Sequence, residues 1–205
     1  MLQIISNAIE FNKKLIWEDN SKNLYLATTA KELIEIFKLR SEIYTKLNYG
    51  NEFPDMINGL NLDNYDESSA ILYTKINGII TGTCRVIFDS NKKLPIDSHF
   101  SLNYLREEYT TIAEVSRLVI KHQSNGLNQE FKLLTKGVYF ITLQNKITKT
   151  VSVIKDEHFK LYKKFGGFNI ENKFDIYGTL YNTFIITLWD VSKISNFFKR
   201  AFLKN

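Results

Sequence analysis

Two opposite charges within an apolar stretch are the first chemical signal in this sequence. Residues 111–121, TIAEVSRLVIK, are typical of a buried strand because most are apolar and several are β-branched. Glu114 and Arg117 interrupt that pattern, and buried charges are costly unless they are paired and hydrogen-bonded. The two charges therefore indicate either a substrate site or a structural ion pair.

The segment that follows this strand adds a second signal. Gln123 and Gly126 lie in a short polar loop, and a long helical pattern begins directly after it. A helix N-terminus presents N–H groups that lack partners within the helix, and these groups can bind an anionic ligand. A charged strand that opens into such a loop is typical of a substrate cradle.

The spacing of Glu114 and Arg117 raises a geometric question. Side chains three residues apart point to opposite faces of a regular strand, because successive side chains alternate. A β-bulge between the two residues would turn both toward one face. Without a bulge, only one of the pair can reach a shared site.

Four further charged residues occur at positions that favour a role in the same site. Arg85 lies in the middle of a predicted strand, and Asp63 and Asp66 stand three residues apart just before a predicted hairpin. Paired carboxylates can hold a substrate ammonium group or a structural arginine. Arg40 lies one turn before Tyr44 in a predicted helix. The structural alternatives are a solvated cation near a helix C-terminus and a solvated acidic turn.

The elements that must position these residues follow from hydrophobic periodicity. Thr29 is a typical N-cap for a helix from Ala30 to about Lys46, and Asn77-Gly78 between two β-rich runs predicts a hairpin. The polar segment 49–64 predicts a loop. The full order is helix, strand, helix, loop, hairpin, strand, helix, strand, helix, strand. This order indicates an α/β or α+β fold with a mostly antiparallel sheet and one late βαβ crossover.

Composition limits the class of protein. Hydrophobic residues make up 44% of the 205 residues, which is enough for one packed domain, placed here at residues 1–189. Cys84 is the only cysteine, which excludes an internal disulfide, fits a reducing cytoplasm and favours a packing role. The first residues lack signal-peptide features, and no apolar run approaches the roughly 18 residues of a membrane span. The three histidines lack the spacing of metal ligands, so no metal site is predicted.

Charge indicates the kind of partner. The net charge is +5 and the pI is about 9.1, which favours an acidic partner such as a carrier protein, an anionic cofactor or a membrane surface. The basic residues are scattered rather than clustered, which argues against nucleic acid. Residues 190–205 are predicted to form a basic, amphipathic helical tail. This tail can lie on the inner face of a membrane, on its own domain or on a second subunit.

Together, these charges and elements resemble the GCN5-related N-acyltransferase fold. Within it, the chain is most similar to the branch that holds the autoinducer (acyl-homoserine-lactone) synthases and the long-chain N-acyl amino acid synthases. The resemblance runs from about Leu24 to Leu188. It rests on an Arg followed one turn later by an aromatic residue, an Asp-x-x-Asp, a strand Arg and a Glu-x-x-Arg, here Arg40, Tyr44, Asp63, Asp66, Arg85, Glu114 and Arg117.

The resemblance implies a fold and a reaction. In this fold the fourth and fifth strands splay apart and admit the pantetheine arm of a thioester. An acyl group from acyl carrier protein or coenzyme A would pass to a small amine. The autoinducer synthases carry a Trp shortly after the helix Arg, whereas this chain has Tyr49 and Gly50 there. That difference favours an amino acid or a related amine over S-adenosylmethionine as the acceptor.

The resemblance also implies roles for individual residues. Glu114 would be the general base, Tyr162 would protonate the leaving thiolate, and N–H groups near Val115 to Leu118 would bind the thioester oxygen. The acceptor pocket would be shaped by Arg40, Tyr44, Asp63, Asp66, Arg85 and Arg117. The pyrophosphate-binding loop of the general acyltransferases is matched only in part, by Gln123, Gly126 and Asn128.

Two alternatives remain open at this point. One is a short-chain N-acetyltransferase that uses acetyl-coenzyme A, which a full pyrophosphate loop and a shallow pocket would favour. The other is a protein of the same fold that binds an acyl lipid or a partner without catalysis. A missing pocket, or a solid ion pair between Glu114 and Arg117, would favour this second alternative.

Overall fold

A single sheet organises the described part of the chain. The computed structural model describes residues 1–19, 21–109, 111–121, 127–175, 180 and 183–204. Neighbouring strands are antiparallel except β4 and β5, which are parallel. Helices flank this sheet, which confirms the predicted mixed α/β class. In these residues seven strands lie in the order β1-β2-β3-β4-β5-β7-β6, namely β1 (Leu24–Leu26), β2 (Ser69–Ile76), β3 (Ile79–Phe88), β4 (Ile112–Ile120), β5 (Lys149–Lys155), β6 (Phe168–Phe174) and β7 (Phe184–Asp190).

The two longest helices each begin at a residue whose side chain caps them. Thr29 Oγ1 accepts a hydrogen bond of 3.3 Å from the N–H of Glu32, and the Glu32 carboxylate accepts one from the N–H of Thr29, which forms a capping box. Asn128 Oδ1 caps the next long helix by accepting from the N–H of Phe131. The helices are α1 (Leu2–Lys14), α2 (Ala30–Lys46), α3 (Asn103–Glu108), α4 (Gln129–Gln144), α5 (Phe159–Lys163) and α6 (Asn196–Phe198).

The two faces of the sheet carry different layers. In β2, Ile71 packs into a cluster with Leu33 and Phe37 of α2, whereas Leu72 packs into a cluster with Leu134 of α4. This alternation is what a strand buried on both faces requires. A third hydrophobic cluster lies next to the α2 layer, and in it residues 94–105 pack against β3, β4 and β5. Any route through the sheet therefore connects the α2 side with the α4 side.

The C-terminal tail packs on its own domain. Phe198 and Phe202 are buried, and their rings lie 5.5 Å and 4.8 Å from the ring of Phe165. The basic residues of the tail are exposed, namely Lys193, Lys199, Arg200 and Lys204. The division of the chain at residue 189 stays a prediction. No helix among the described residues combines the length and the apolar character that crossing a bilayer requires.

One strand differs from the predicted order. The predicted order ends with one helix and a single final strand, but after α5 the structure has two strands, β6 and β7. Among the described strands, β6 (FNIENKF) pairs only with β7, at the edge of the sheet, and its residues are exposed or half-buried. An edge strand needs no apolar face, so its polar sequence carries little strand signal.

Candidate active site

The site begins where two parallel strands separate. β4 and β5 pair at only three positions, of which Glu114↔Val151 is the last. Beyond Glu114, the side of β4 that faces β5 has no strand partner in the described residues, so N–H groups on that side are available to a bound molecule. A cavity of about 510 Å³ occupies the opening. The splay between the fourth and fifth strands, which the resemblance implied, is confirmed.

A β-bulge lies in β4 at the mouth of this opening. Arg85 of β3 pairs with Ser116, and Thr83, two residues earlier, pairs with Val119, three residues later. β4 therefore has one extra residue, and Arg117 within it has a φ of 53°. A positive φ is uncommon for a residue other than glycine and is held here by the surrounding contacts.

The bulge reverses the direction of the side chains that follow it. Ala113 belongs to the cluster on the α4 side, whereas Val119 belongs to the cluster on the α2 side, although both positions are odd-numbered. Arg117, within the bulge, reaches the carboxylate of Asp63. Glu114 and Arg117 line the same cavity, which resolves the geometric question in favour of a bulge.

Five charged residues form one continuous network of ion pairs. Asp66 Oδ1 lies 2.8 Å from Arg40 Nη1 and 3.3 Å from Arg85 Nη1. Asp63 Oδ1 lies 2.6 Å from Arg85 Nη1, and its Oδ2 lies 3.0 Å from Arg117 Nη2. The side chains of Arg40 and Asp66 are fully buried, which excludes a solvated role for either. The network joins α2, the loop before β2, β3 and β4.

The network fixes the charge states of Asp63 and Arg85. Burial alone would raise the pKa of Asp63, but the guanidinium groups of Arg85 and Arg117 outweigh it and hold that pKa far below its ordinary value. Burial lowers the pKa of Arg85, while Asp66 and Asp63 raise it more, so Arg85 stays charged. A buried network of this kind is stable only as a unit, because removing one partner leaves an uncompensated charge.

Glu114 stands apart from these ion pairs. It is 5% exposed, and its Oε2 accepts a hydrogen bond of 2.9 Å from the N–H of Ile96. Burial raises the pKa of Glu114 to about 7, although Ile96, Arg85 and Arg117 each lower it. A carboxyl group with a pKa near neutrality can both take and release a proton at physiological pH.

The charged end of the cavity lies on the α2 side. The guanidinium carbon of Arg117 lies 4.3 Å from the ring centre of Phe53 and 5.5 Å from that of Tyr44. Leu47 and Tyr49 complete this wall. Of the Arg117 guanidinium nitrogens, only Nη2 hydrogen bonds to another described residue, so Nε and Nη1 can serve a ligand.

The other end of the cavity is apolar and lies on the α4 side. Val115 and Leu118 of β4 also line the cavity. That N–H groups near them bind the thioester oxygen, as the resemblance implies, stays a prediction. Cys84 also lines the cavity, but burial raises the pKa of its thiol to about 12, which fits the predicted packing role. Apolar and aromatic side chains form the wall, among them Val138, Ile154, Phe165, Phe168, Phe184 and Trp189.

Tyr162 lies at this apolar end. Its ring centre is 5.3 Å from that of Phe165, 5.5 Å from that of Phe168 and 6.1 Å from that of Phe131. Burial raises the pKa of the Tyr162 phenol, so the hydroxyl group is protonated at neutral pH. A protonated phenol beside the cavity can donate a proton to a leaving group.

The predicted cofactor-binding residues are only partly described. Gln123 and Gly126 lie outside the described residues, and so does His122. Asn128 uses its side-chain oxygen to cap α4. His158 lines the cavity and is 59% exposed. The described residues include no group of three or more histidine, cysteine, aspartate or glutamate side chains placed to hold a metal ion.

Several residues of the site carried no sequence signal of their own. Phe53 lies in the segment 49–64, for which only a loop was predicted. Ile96 contributes a backbone N–H, which any residue type could provide. Ser116 Oγ accepts from Arg85 Nε at 3.1 Å, and its place beside Glu114 and Arg117 was the only available hint.

Comparison with known proteins identifies a family for most of the chain. Residues 35–188 match the family model described as N-acyl amino acid synthase FeeM, which covers about three quarters of the chain. That range contains the whole charged network and Glu114. No curated relative matches this sequence.

Solved structures share the fold at low sequence identity. FeeM, an N-acyl amino acid synthase from uncultured soil microbes, is 19% identical with a TM-score of 0.66, over 89% of this chain and 96% of that chain. MesI, a CoA-dependent acyl-homoserine lactone synthase, is 18% identical with a TM-score of 0.65, over 89% and 96%. The AHL synthase LasI is 15% identical with a TM-score of 0.62, over 87% and 95%. At these identities the likeness establishes a shared fold.

Proposed function

Because this chain belongs to the N-acyl amino acid synthase FeeM family and is therefore an acyltransferase, we propose that it transfers a fatty acyl group from a carrier thioester to the amine of an amino acid. One observation carries this proposal. The cavity between β4 and β5 has a charged end beside Glu114 and an aromatic, apolar end beside α4. A fatty acyl chain and a small charged acceptor need two such environments on either side of one reacting carbonyl.

The charged end favours an acceptor that carries a carboxylate. Asp63 is neutralised by Arg85 and Arg117, and Nε and Nη1 of Arg117 have no hydrogen-bond partner among the described residues. An arginine with unused donors binds a planar carboxylate well. Tyr49 stands near the position where the resemblance places a Trp in the autoinducer synthases. These features support an amino acid rather than S-adenosylmethionine as the acceptor.

The proposed chemistry is aminolysis of a thioester. The acceptor reacts as its free amine: its nitrogen attacks the thioester carbon, and Glu114 takes the proton that this nitrogen loses as the carbon–nitrogen bond forms. N–H groups of β4 between Val115 and Leu118 stabilise the oxyanion of the tetrahedral intermediate. The carbon–sulfur bond breaks as the amide forms, and Tyr162 donates a proton to the departing thiolate. The proton that Tyr162 has given up is replaced from solvent or from Glu114 before the next turnover.

The donor side favours an acidic carrier. Lys155 and His158 line the cavity, and three lysines of the adjoining segment are exposed, namely Lys160, Lys163 and Lys164. Positive charge beside the opening would steer an acidic acyl carrier protein and would also suit the phosphates of coenzyme A. Both donors therefore enter the test. The tail lysines extend the basic surface but do not line the cavity.

The two alternative functions receive less support. A short-chain acetyltransferase has no need of a cavity of about 510 Å³ with an extended aromatic, apolar end. A function limited to binding would be favoured if Glu114 and Arg117 formed an ion pair that closed the site. Instead, Arg117 pairs with Asp63, Glu114 accepts from Ile96, and both Glu114 and Arg117 line the cavity.

The test is mass spectrometry of lipid extracts from bacteria that express the wild type or Glu114→Gln. We expect N-acyl amino acids with the wild type and at least about 100-fold less with the variant, because a general base is lost. Glu67→Gln is the matched control, since Glu67 pairs with Lys92 outside the cavity. Purified enzyme is then assayed with decanoyl and palmitoyl thioesters of acyl carrier protein and of coenzyme A. Absence of any N-acyl amino acid with both donors and a full amino acid mixture would refute the proposal.

A further inference from the structure

A second group of ion pairs lies behind Glu114 and outside the cavity network. Arg106 of α3 donates to both carboxylate oxygens of Asp97, at 2.6 Å and 2.8 Å. It also donates to both oxygens of Asp89 at the same two distances. Paired donation of this kind fixes geometry as well as charge. One guanidinium group thus ties α3 to the end of β3 and to the turn that contains Asp97.

Asp97 in turn organises the turn Pro95–Ser98. Its Oδ2 accepts from the N–H of Leu94 at 2.9 Å, and its Oδ1 accepts from the N–H of Leu102 at 3.1 Å. The Asp97 side chain is 8% exposed. Burial raises the pKa of this carboxyl, but the bonds from Arg106 and from the two N–H groups hold it at about 2. The aspartate is therefore ionised and in place across the physiological range.

The same turn delivers the hydrogen bond to Glu114. Ile96 is fully buried in the cluster with Leu94 and Leu105, and its N–H points at Glu114 Oε2 from 2.9 Å. Ile96 immediately precedes Asp97, so the orientation of its peptide unit depends on how Asp97 is held. The other carboxylate oxygen, Oε1, has no hydrogen bond to another described residue, which leaves it for the substrate.

We propose that Arg106 is a positioning residue for Glu114, which it orients by clamping Asp97 and so fixing the turn that aims the Ile96 N–H at the carboxylate. This role rests on the proposed function of Glu114 as the base. Arg106 itself does not line the cavity between β4 and β5. It acts through two intermediaries, one carboxylate and one peptide N–H.

The clamp has an electrostatic consequence that can be measured. A hydrogen bond to the ionised carboxylate favours that form, so loss of the Ile96 bond raises the pKa of Glu114. The charged and titratable groups that face Glu114 are Arg85 from β3, Arg117 from β4, and Asp63 and Tyr65 from the loop before β2. These groups lie on other elements than α3, and substitution of Arg106 leaves them in place.

The variants are Arg106→Lys, which keeps the charge but cannot make paired bonds to two carboxylates, and Arg106→Gln, which removes the charge. The carboxyl carbon of Glu114 is titrated by NMR in the substrate-free protein, and its signal is identified by its loss in Glu114→Gln. Lys149→Gln is the control, because it breaks another largely buried ion pair, with Asp190, at 2.6 Å. We expect both Arg106 variants to raise the pKa of Glu114 by about 0.5 to 1, and the control to leave it unchanged.

Kinetics supply the second readout. In the Arg106 variants we expect kcat to fall about tenfold with KM changed less than about twofold, since the base is misoriented while both substrates still bind. In a Glu114→Gln background, Arg106→Lys should cause no further loss. A Glu114 pKa that stays constant in Arg106→Lys, or an equal loss of kcat with and without Glu114, would overturn the proposal. If no acyl transfer is found in any variant, the proposed function fails while the titration still decides the positioning role.

Discussion

The guanidinium of Arg117 stacks on the ring of Phe53, with 4.3 Å between the guanidinium carbon and the ring centre. This contact joins the bulge in β4 to the loop that follows α2. Asn61 Nδ2 secures the same loop by donating to the carbonyl oxygen of Phe53 at 2.7 Å. Arg117, which we assign to binding the acceptor carboxylate, is thus held by its ion pair with Asp63 and by its contact with the ring of Phe53.

Replacing the ring of Phe53 should weaken acceptor binding. A cation–π contact of a partly buried arginine contributes about 1 kcal/mol, so Phe53→Leu should raise KM for the amino acid about fivefold with little change in kcat. Phe53→Tyr keeps the aromatic face and should stay within about twofold of the wild type. Steady-state kinetics with a saturating thioester measure both. Equal KM values for the Leu variant and the wild type would show that the stacking does not serve the acceptor.

Removing the hydroxyl group of Tyr162 should slow the departure of the thiolate. We expect Tyr162→Phe to lower kcat about 100-fold, because a general acid is lost while the ring still packs against Phe165. A thioester of a more acidic thiol should restore much of that loss. Tyr139→Phe is the control, since Tyr139 contacts Trp189 in the same aromatic cluster but does not line the cavity. Failure of the acidic thiol to restore activity would assign Tyr162 to packing.

Narrowing the apolar end should change the acyl chain preference. Val138 is 4% exposed and lines the cavity from α4. A misfit of one methylene group changes specificity by about 1–3 kcal/mol, so Val138→Phe should lower the palmitoyl-to-octanoyl ratio of kcat/KM at least about tenfold. Val138→Ile should have an intermediate effect. Competition between the two thioesters, followed by mass spectrometry, gives the ratio directly. An unchanged ratio in both variants would place the acyl chain elsewhere.

Breaking the centre of the ion-pair network should destabilise the whole domain. Asp66→Asn leaves Arg40 and Arg85 buried with reduced compensation, which costs about 3–5 kcal/mol of unfolding free energy. Glu67→Gln removes a neighbouring pair with the exposed Lys92 and should cost less than about 1 kcal/mol. Urea unfolding of both variants at neutral pH tests the contrast. Similar losses in the two variants would contradict the network's structural role.

The raised pKa of Glu114 makes both activity and stability depend on pH. Activity needs the ionised base, so kcat/KM should rise with an apparent pKa near 7, and this limb should be absent from the residual activity of Glu114→Gln. Stability changes in the opposite direction. Below an ordinary pKa of 4.5 the group is protonated in both folded and unfolded states, and between 4.5 and about 7 only the unfolded state gains from ionisation.

At about 1.4 kcal/mol per pKa unit, this difference removes about 3 kcal/mol of wild-type stability as the pH rises from 4.5 to 7. Glu114→Gln lacks this loss. The measurement is urea unfolding of the wild type and of Glu114→Gln at pH values below and above this window. The change in the stability difference between the two proteins reports on Glu114 alone, because all other groups titrate in both. A difference that stays constant across the window would mean that Glu114 has an ordinary pKa.

Local sequence signals predicted the elements well because their causes are local. The capping box of Thr29 and Glu32 begins α2 at the predicted residue, and Asn77 and Gly78 adopt the positive φ values, 50° and 80°, that a tight hairpin needs. β6 escaped prediction because its place at the sheet edge removes the apolar pattern. The fold class followed from the order of elements, which a missed edge strand leaves intact.

The sequence by itself determined which charged groups the site contains, since six of them stand in or beside apolar elements, where an unpaired charge is costly to bury. It could not determine which charges pair, because Arg40, Asp66, Arg85, Asp63 and Arg117 come from separate elements and meet only through packing. Whether Glu114 and Arg117 share a cavity depended on one extra residue in β4. That residue is placed by the register between β3 and β4, a non-local property, because a strand alone has no preference for where its alternation is broken.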